Sequence, residues 1–128
     1  MTNESTITAT EIRLRTRSRV LEVAFADGRR FELPFEYLRV HSPSAEVQGH
    51  GGGQMALVLG KENVGIQSVE PIGHYAVRLL FDDGHSTGLY TWKYLYELGA
   101  ERTARWSNYL ARRAAATPAA QAAPLKKP

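Results

Sequence analysis

Cysteine is missing from this chain altogether. That one absence removes disulfides, thiolate nucleophiles, cysteine-held iron–sulfur clusters and cysteine zinc sites together. Long apolar runs are missing too. No stretch of about 18 consecutive apolar residues occurs, so no segment reads as a membrane span. The opening Met-Thr-Asn-Glu-Ser-Thr has no basic region followed by an apolar one, the pattern of a secretory signal. A cytoplasmic location is therefore the expectation. What is present suits one domain: 128 residues, 43% of them hydrophobic, enough for a single core.

Positive charge is in modest excess, with a formal net charge of +3. Arg13, Arg15, Arg17 and Arg19 alternate, which on an extended strand would set all four on one face. Arg102, Arg105, Arg112 and Arg113 fall in a C-terminal helical stretch, and Lys126-Lys127 near the end of the chain. A surface that binds single-stranded nucleic acid interleaves such charges with aromatics or glycines. The N-terminal run has neither, so it reads as a solvated face, and nucleic-acid binding ranks third among the functions considered.

The most informative stretch runs from Ile72 to Tyr96: an alternating strand, an Asp83-Gly84 turn, a short strand and an aromatic helical cap. A fainter copy lies between Val20 and Leu38. Phe25, Asp27, Gly28 and Leu33 match Phe81, Asp83, Gly84 and Leu89 at an offset of 56, and Tyr37-Leu38 matches Tyr94-Leu95 at 57. The patterns predict strands near 11–16, 20–26 and 29–33, then a short helix over 34–39 opened by Pro34. A second set is expected near 64–71, 75–82 and 86–90. It leads to a helix capped by Thr91 and stopped by Gly99, and to a last helix over about 101–113. The fold class is α+β: a mostly antiparallel sheet built from two related β-hairpins, short helices after each hairpin, and a C-terminal helix packed on the sheet. Residues 1–10 read as a flexible N-terminus, 11–113 as the domain, and 114–128 as a disordered Ala/Pro-rich tail. The expected core is Leu21, Val23, Phe25, Phe31, Leu33, Val77, Leu79, Phe81, Leu89, Trp92, Leu95, Trp106 and Leu110.

Catalytic patterns are scarce. An iron facial triad needs His-x-Asp/Glu, yet the residues two after each histidine are Pro43, Gly52, Ala76 and Thr87. Ser42, Ser44 and Ser86 have no nucleophile elbow around them. Asp82 and Asp83 are adjacent, so on a strand they point to opposite faces, and Asp83 suits turn formation. The Gly49–Gly53 loop lacks the Lys-Ser/Thr that follows a phosphate-binding loop. No catalytic residue is assigned, and the expectation is a protein that is not an enzyme.

Three segments carry a resemblance: Tyr37-Leu-Arg-Val-His-Ser-Pro-Ser-Ala-Glu-Val47, Ile72-Gly-His-Tyr-Ala-Val, and Asp82-Asp-Gly-His-Ser-Thr-Gly-Leu-Tyr-Thr-Trp92 with Tyr94-Leu95. Over roughly Ile12 to Leu110 the chain resembles the gamma-butyrobetaine-hydroxylase-like N-terminal domain, a domain of unknown function when it stands alone in bacteria. That domain precedes 2-oxoglutarate-dependent carnitine-pathway hydroxylases and is appended to some P-loop scaffold proteins of iron–sulfur cluster assembly. The hydroxylase's catalytic jelly roll is not expected within these 128 residues.

In those hydroxylases the domain holds a structural zinc with three cysteines and one histidine. The resemblance puts the cysteine positions at about Ser42, Ser44 and Val47, and the histidine at His85. One retained ligand of four does not hold zinc tetrahedrally. A substitute site would draw on His41, Glu46 and His50 with His85, donors usable by Zn²⁺ or Fe²⁺. His74 has no evident partner. Two functional expectations follow. The first is a non-catalytic binding or accessory module whose partner is another protein of iron–sulfur or metal-enzyme machinery. Its binding surface would comprise Tyr37, Arg39, His41, Ser42, Ser44, His85 and Tyr90. The alternative is a metal-binding domain that uses His85 with His41 or His50.

Overall fold

Two copies of one plan make up the body, as seen in a computed structural model that describes residues 7–43, 57–86 and 88–116. The first copy is an antiparallel sheet of β1 (Ala9–Arg15), β2 (Val20–Phe25) and β3 (Arg30–Pro34), followed by helix α1 (Phe35–Val40). The second is a sheet of β4 (Ile66–Ile72), β5 (Ala76–Phe81) and β6 (Leu89–Thr91), followed by α2 (Trp92–Ala100). Helix α3 (Arg102–Ala116) completes the chain's described part. This is the expected α+β fold of two related antiparallel hairpins with helices after them, its strands divided into two three-stranded sheets.

Both hairpins close in the same way. The Phe25 amide donates to the Arg29 carbonyl at 2.9 Å, and the Gly28 amide donates to the Phe25 carbonyl at 2.9 Å. In the second copy, Phe81 donates to His85 at 3.0 Å and Gly84 to Phe81 at 3.2 Å. Gly28 and Gly84 both have φ of 93°, a conformation that only glycine adopts without a Cβ penalty. Asp27 and Asp83 each accept the amide two residues on, at 2.9 and 3.0 Å.

After the turns the copies separate by one residue. Leu21 pairs with Leu33, but its counterpart Val77 pairs with Tyr90. Tyr90, not Leu89, is therefore the structural equivalent of Leu33. A slip of one residue exchanges the faces of a strand. Tyr90 is fully buried while Leu89 is 37% exposed, which removes Leu89 from the expected core.

Leu21, Val23, Phe25, Leu33, Val77, Leu79, Phe81 and Leu95 are buried as expected. Phe31, Trp92, Trp106 and Leu110 are only half-buried. Their places in the interior go to Tyr37, Leu38, Tyr90, Leu98 and Tyr109. The tyrosines are tolerated there because their hydroxyls find partners: Tyr37 donates to the Leu98 carbonyl and Tyr90 to the Leu38 carbonyl, each at 2.6 Å.

Gly99 does not stop its helix. α2 runs through it to Ala100, and a Cβ at Gly99 would lie 2.3 Å from Cγ of Phe31. Its role is close approach between α2 and β3. The four-arginine face is not formed either, because β1 ends at Arg15. Arg19 has φ of 61°, donates to the Val64 carbonyl and lies 5.6 Å over the Phe35 ring. Arg13 pairs with Glu11, and Arg15 with Glu22. α3 extends to Ala116, three residues past the expected domain end.

Candidate functional site

Helix α1 and the second hairpin turn meet at one place and bring the polar residues together. α1 places Arg39, and the chain leaving it places His41 and Ser42. The Asp83-Gly84 turn places Asp83 and His85. The Ser42 hydroxyl lies 2.8 Å from Nε2 of His85. Arg39 Nε donates to Asp83 Oδ2 at 2.9 Å, and Lys61 Nζ lies 2.6 Å from the same oxygen. The Arg39 guanidinium also covers the Phe81 ring, 5.9 Å from its centroid. Gly88 makes room for this junction, since a Cβ there would stand 2.5 Å from Ser42 Oγ.

The electrostatics follow from partial burial. Desolvation works against the Asp83 carboxylate, but bonds from Lys61, the His85 amide and Arg39 overcome it and hold the group well below the ordinary carboxylate range. His85 is pushed down by burial and by the adjacent Arg39, so its ring favours the neutral form. His41 is lowered to about 4, chiefly by burial.

The expected site residues divide unequally. Arg39, Ser42 and His85 come together. His41 does not join them as a free ligand: it is 8% exposed, its Nδ1 meets the Tyr37 carbonyl at 3.0 Å, and its ring packs 4.7 Å from that of Tyr37. Tyr37 and Tyr90 are fully buried with their hydroxyls turned inward, so neither ring supplies binding surface. Ser42 is buried as well. Ser44, Glu46, Val47, His50 and the Gly49–Gly53 loop lie outside the described residues. Sequence reasoning missed Lys61, which carries no motif, and gave Asp83 only a turn-forming task.

The Ser42–His85 contact is a latch between α1 and the turn rather than part of a Ser-His-Asp relay. Asp83 accepts the backbone N–H of His85, not its ring. The donors present also do not fit the zinc that the resemblance implies. Two of the four ligand positions, Ser42 and His85, are bonded directly to each other, and a neutral hydroxyl replaces a thiolate. Among the described residues, no group of three or more His, Cys, Asp or Glu is placed to share a metal ion. Among those residues, too, no helix is long and apolar enough to cross a membrane.

The geometry defines a small α+β domain with an internal repeat, whose polar junction sits where the second hairpin turn meets the first copy's helix. Residues 12–96 match the family described as gamma-butyrobetaine hydroxylase-like, N-terminal, and the chain belongs to it. A crystal structure of a protein of unknown function from Acidithiobacillus ferrooxidans is similar at 48% identity. The match covers 73% of this chain and 94% of that one, with a TM-score of 0.62. Two solution structures are similar at 50% and 49% identity. They cover 96% and 87% of this chain and 89% and 87% of theirs, with TM-scores of 0.76 and 0.74. Among curated proteins none matches the chain.

Proposed function

We propose that this domain is a non-catalytic accessory module that binds another protein through the polar surface around Arg39, Lys61, Asp83 and His85. The observation that carries the reading is the sharing of one carboxylate oxygen by two cations. Arg39, Lys61 and Asp83 together leave a surplus positive charge where their side chains are only 11%, 23% and 20% exposed. Holding like charges together in a partly desolvated place is unfavourable, and an acidic group on a partner would relieve it. The Ser42–His85 latch and the buried Tyr90 bond to Leu38 hold this surface in one geometry, which lowers the entropic cost of binding. The domain's company in the resembling proteins supports a partner in iron–sulfur or metal-enzyme machinery.

Capture on the tagged protein from native extract, with Lys61→Glu run in parallel, tests this. The expected result is an iron–sulfur or metal-enzyme protein held by the native chain and lost with Lys61→Glu. The same set of proteins on both would overturn it.

A further inference from the structure

The free edge of β3 opens onto a groove of about 750 Å³, walled on the other side by the first turns of α3. From the edge and the shape of this groove, and from the guanidinium of Arg102 within it, we infer that it takes an extended peptide as an added strand, with an acidic side chain facing Arg102.

The register decides which backbone groups are available. The first hairpin closes through the Phe25 amide and the Arg29 carbonyl. Antiparallel strands exchange hydrogen bonds at every second pair. The bonds to β2 therefore fall at Phe31 and Leu33, paired with Val23 and Leu21. The amides and carbonyls of Arg30 and Glu32 point the other way, along the free edge. One of these groups, the Glu32 carbonyl, accepts from Arg102 at 2.7 Å. The rest face the groove, a ready template for another strand.

The groove walls add specificity. Half-buried Phe31 and Trp106 line it, and Gly99 beside them contributes no side chain. A strand laid along β3 alternates its side chains, so one of each pair meets the Phe31–Trp106 surface. Glu22 and Glu32 balance Arg30 and Arg102 in number along the groove, but Glu22 is held by Arg15 and Arg30. Arg102, in contrast, donates to a neutral carbonyl and forms no ion pair with a carboxylate among the described residues. An acidic residue on the peptide supplies one. The groove is separate from the Arg39–Lys61–Asp83 surface and uses none of its residues.

The test pans a random heptapeptide phage library against the full chain, then maps enriched peptides by amide and indole shifts. The expected result is enrichment of peptides pairing an apolar with an acidic residue, with saturable shifts at the Arg30 and Glu32 amides and the Trp106 indole. Arg102→Glu, at an exposed position, should weaken binding about tenfold or more, the size of a lost charge-assisted hydrogen bond. Thr103→Arg, also exposed, should block the groove while leaving the spectrum of the core unchanged. Three results would overturn the inference: no enrichment over Thr103→Arg, shifts confined to other surfaces, or the same edge amides shifting with protein concentration alone. The last would make the occupant a second copy of this chain.

Discussion

Tyr37 and Tyr94 make the same bond in opposite directions. Tyr37 donates its hydroxyl to the Leu98 carbonyl at 2.6 Å, and Tyr94 donates to the His41 carbonyl at 2.5 Å. Tyr94 lies 57 residues beyond Tyr37, and Leu98 lies 57 beyond His41. Each copy's helix thus carries a tyrosine that reaches the end of the other copy's helix. The helix starts are also tied down alike, though each within its own copy: the Phe35 amide donates to the Arg19 carbonyl and the Trp92 amide to the Tyr75 carbonyl, both at 3.0 Å. The two halves meet as the subunits of a symmetric dimer would, self-complementary across one interface.

Removing the two hydroxyls should have unequal effects. The Tyr37 bond is buried, so Tyr37→Phe leaves the Leu98 carbonyl unpaired and should cost about 1–3 kcal/mol. The Tyr94 bond is only partly buried, and water can replace it, so Tyr94→Phe should cost less. Urea unfolding of both variants measures the difference; equal losses would contradict the unequal burial.

Gly99→Ala should reverse the usual sign of such a change. Within an ordinary helix, alanine is favoured over glycine by about 1 kcal/mol. Here the new methyl group would stand 2.3 to 2.7 Å from three ring carbons of Phe31, inside any real contact distance. Overpacking of this kind costs about 1–3 kcal/mol, enough to outweigh the propensity gain. A raised melting temperature would show that α2 and β3 are not so closely apposed.

Acid should destabilise the fold through His41. Its folded value of about 4 lies below the ordinary 6.5, so the unfolded chain binds the proton more readily. The stability is whole above about pH 6.5, falls as the pH drops through that window, and levels off near 4. The full loss is of order 3 kcal/mol. His85, lowered as well, acts in the same direction. Asp83, held below its ordinary value, loses its contribution only at more acid pH. Thermal melts across the window should show a flatter dependence for His41→Asn than for the native chain. Parallel slopes would clear His41.

Zinc or Fe²⁺ should not be taken up stoichiometrically. His41 spends its Nδ1 on a carbonyl, and His85 Nε2 is met by a serine hydroxyl. Opening either contact for a metal would forfeit a formed hydrogen bond, without thiolates to compensate. Calorimetric titration with Zn²⁺ at micromolar concentration should be silent, and His85→Ala should leave the metal content of the purified protein unchanged. One equivalent bound by the native chain and lost with His85→Ala would restore a metal site.

Local chemistry is what the amino-acid order determined by itself. Alternating apolar residues mark β2 and β5, Asp-Gly with a positive-φ glycine marks both turns, and Thr91 accepts the Tyr94 amide as a helix cap. Each of these depends on residues a few places apart, so each is legible along the chain. The absence of cysteine was equally plain and removed thiolate chemistry outright. Only the tertiary structure decided the rest. Leu89 and Tyr90 exchange faces because one extra residue lies between the turn and β6, and only pairing with Val77 reveals it. Gly99 reads as a helix stop until Phe31, 68 residues earlier, is packed against it. Asp83 reads as a turn former until Arg39 and Lys61 arrive from 44 and 22 residues away. Turns and periodicity are set by backbone sterics within a few residues, whereas the polar junction depends on which distant side chains packing brings within bonding distance.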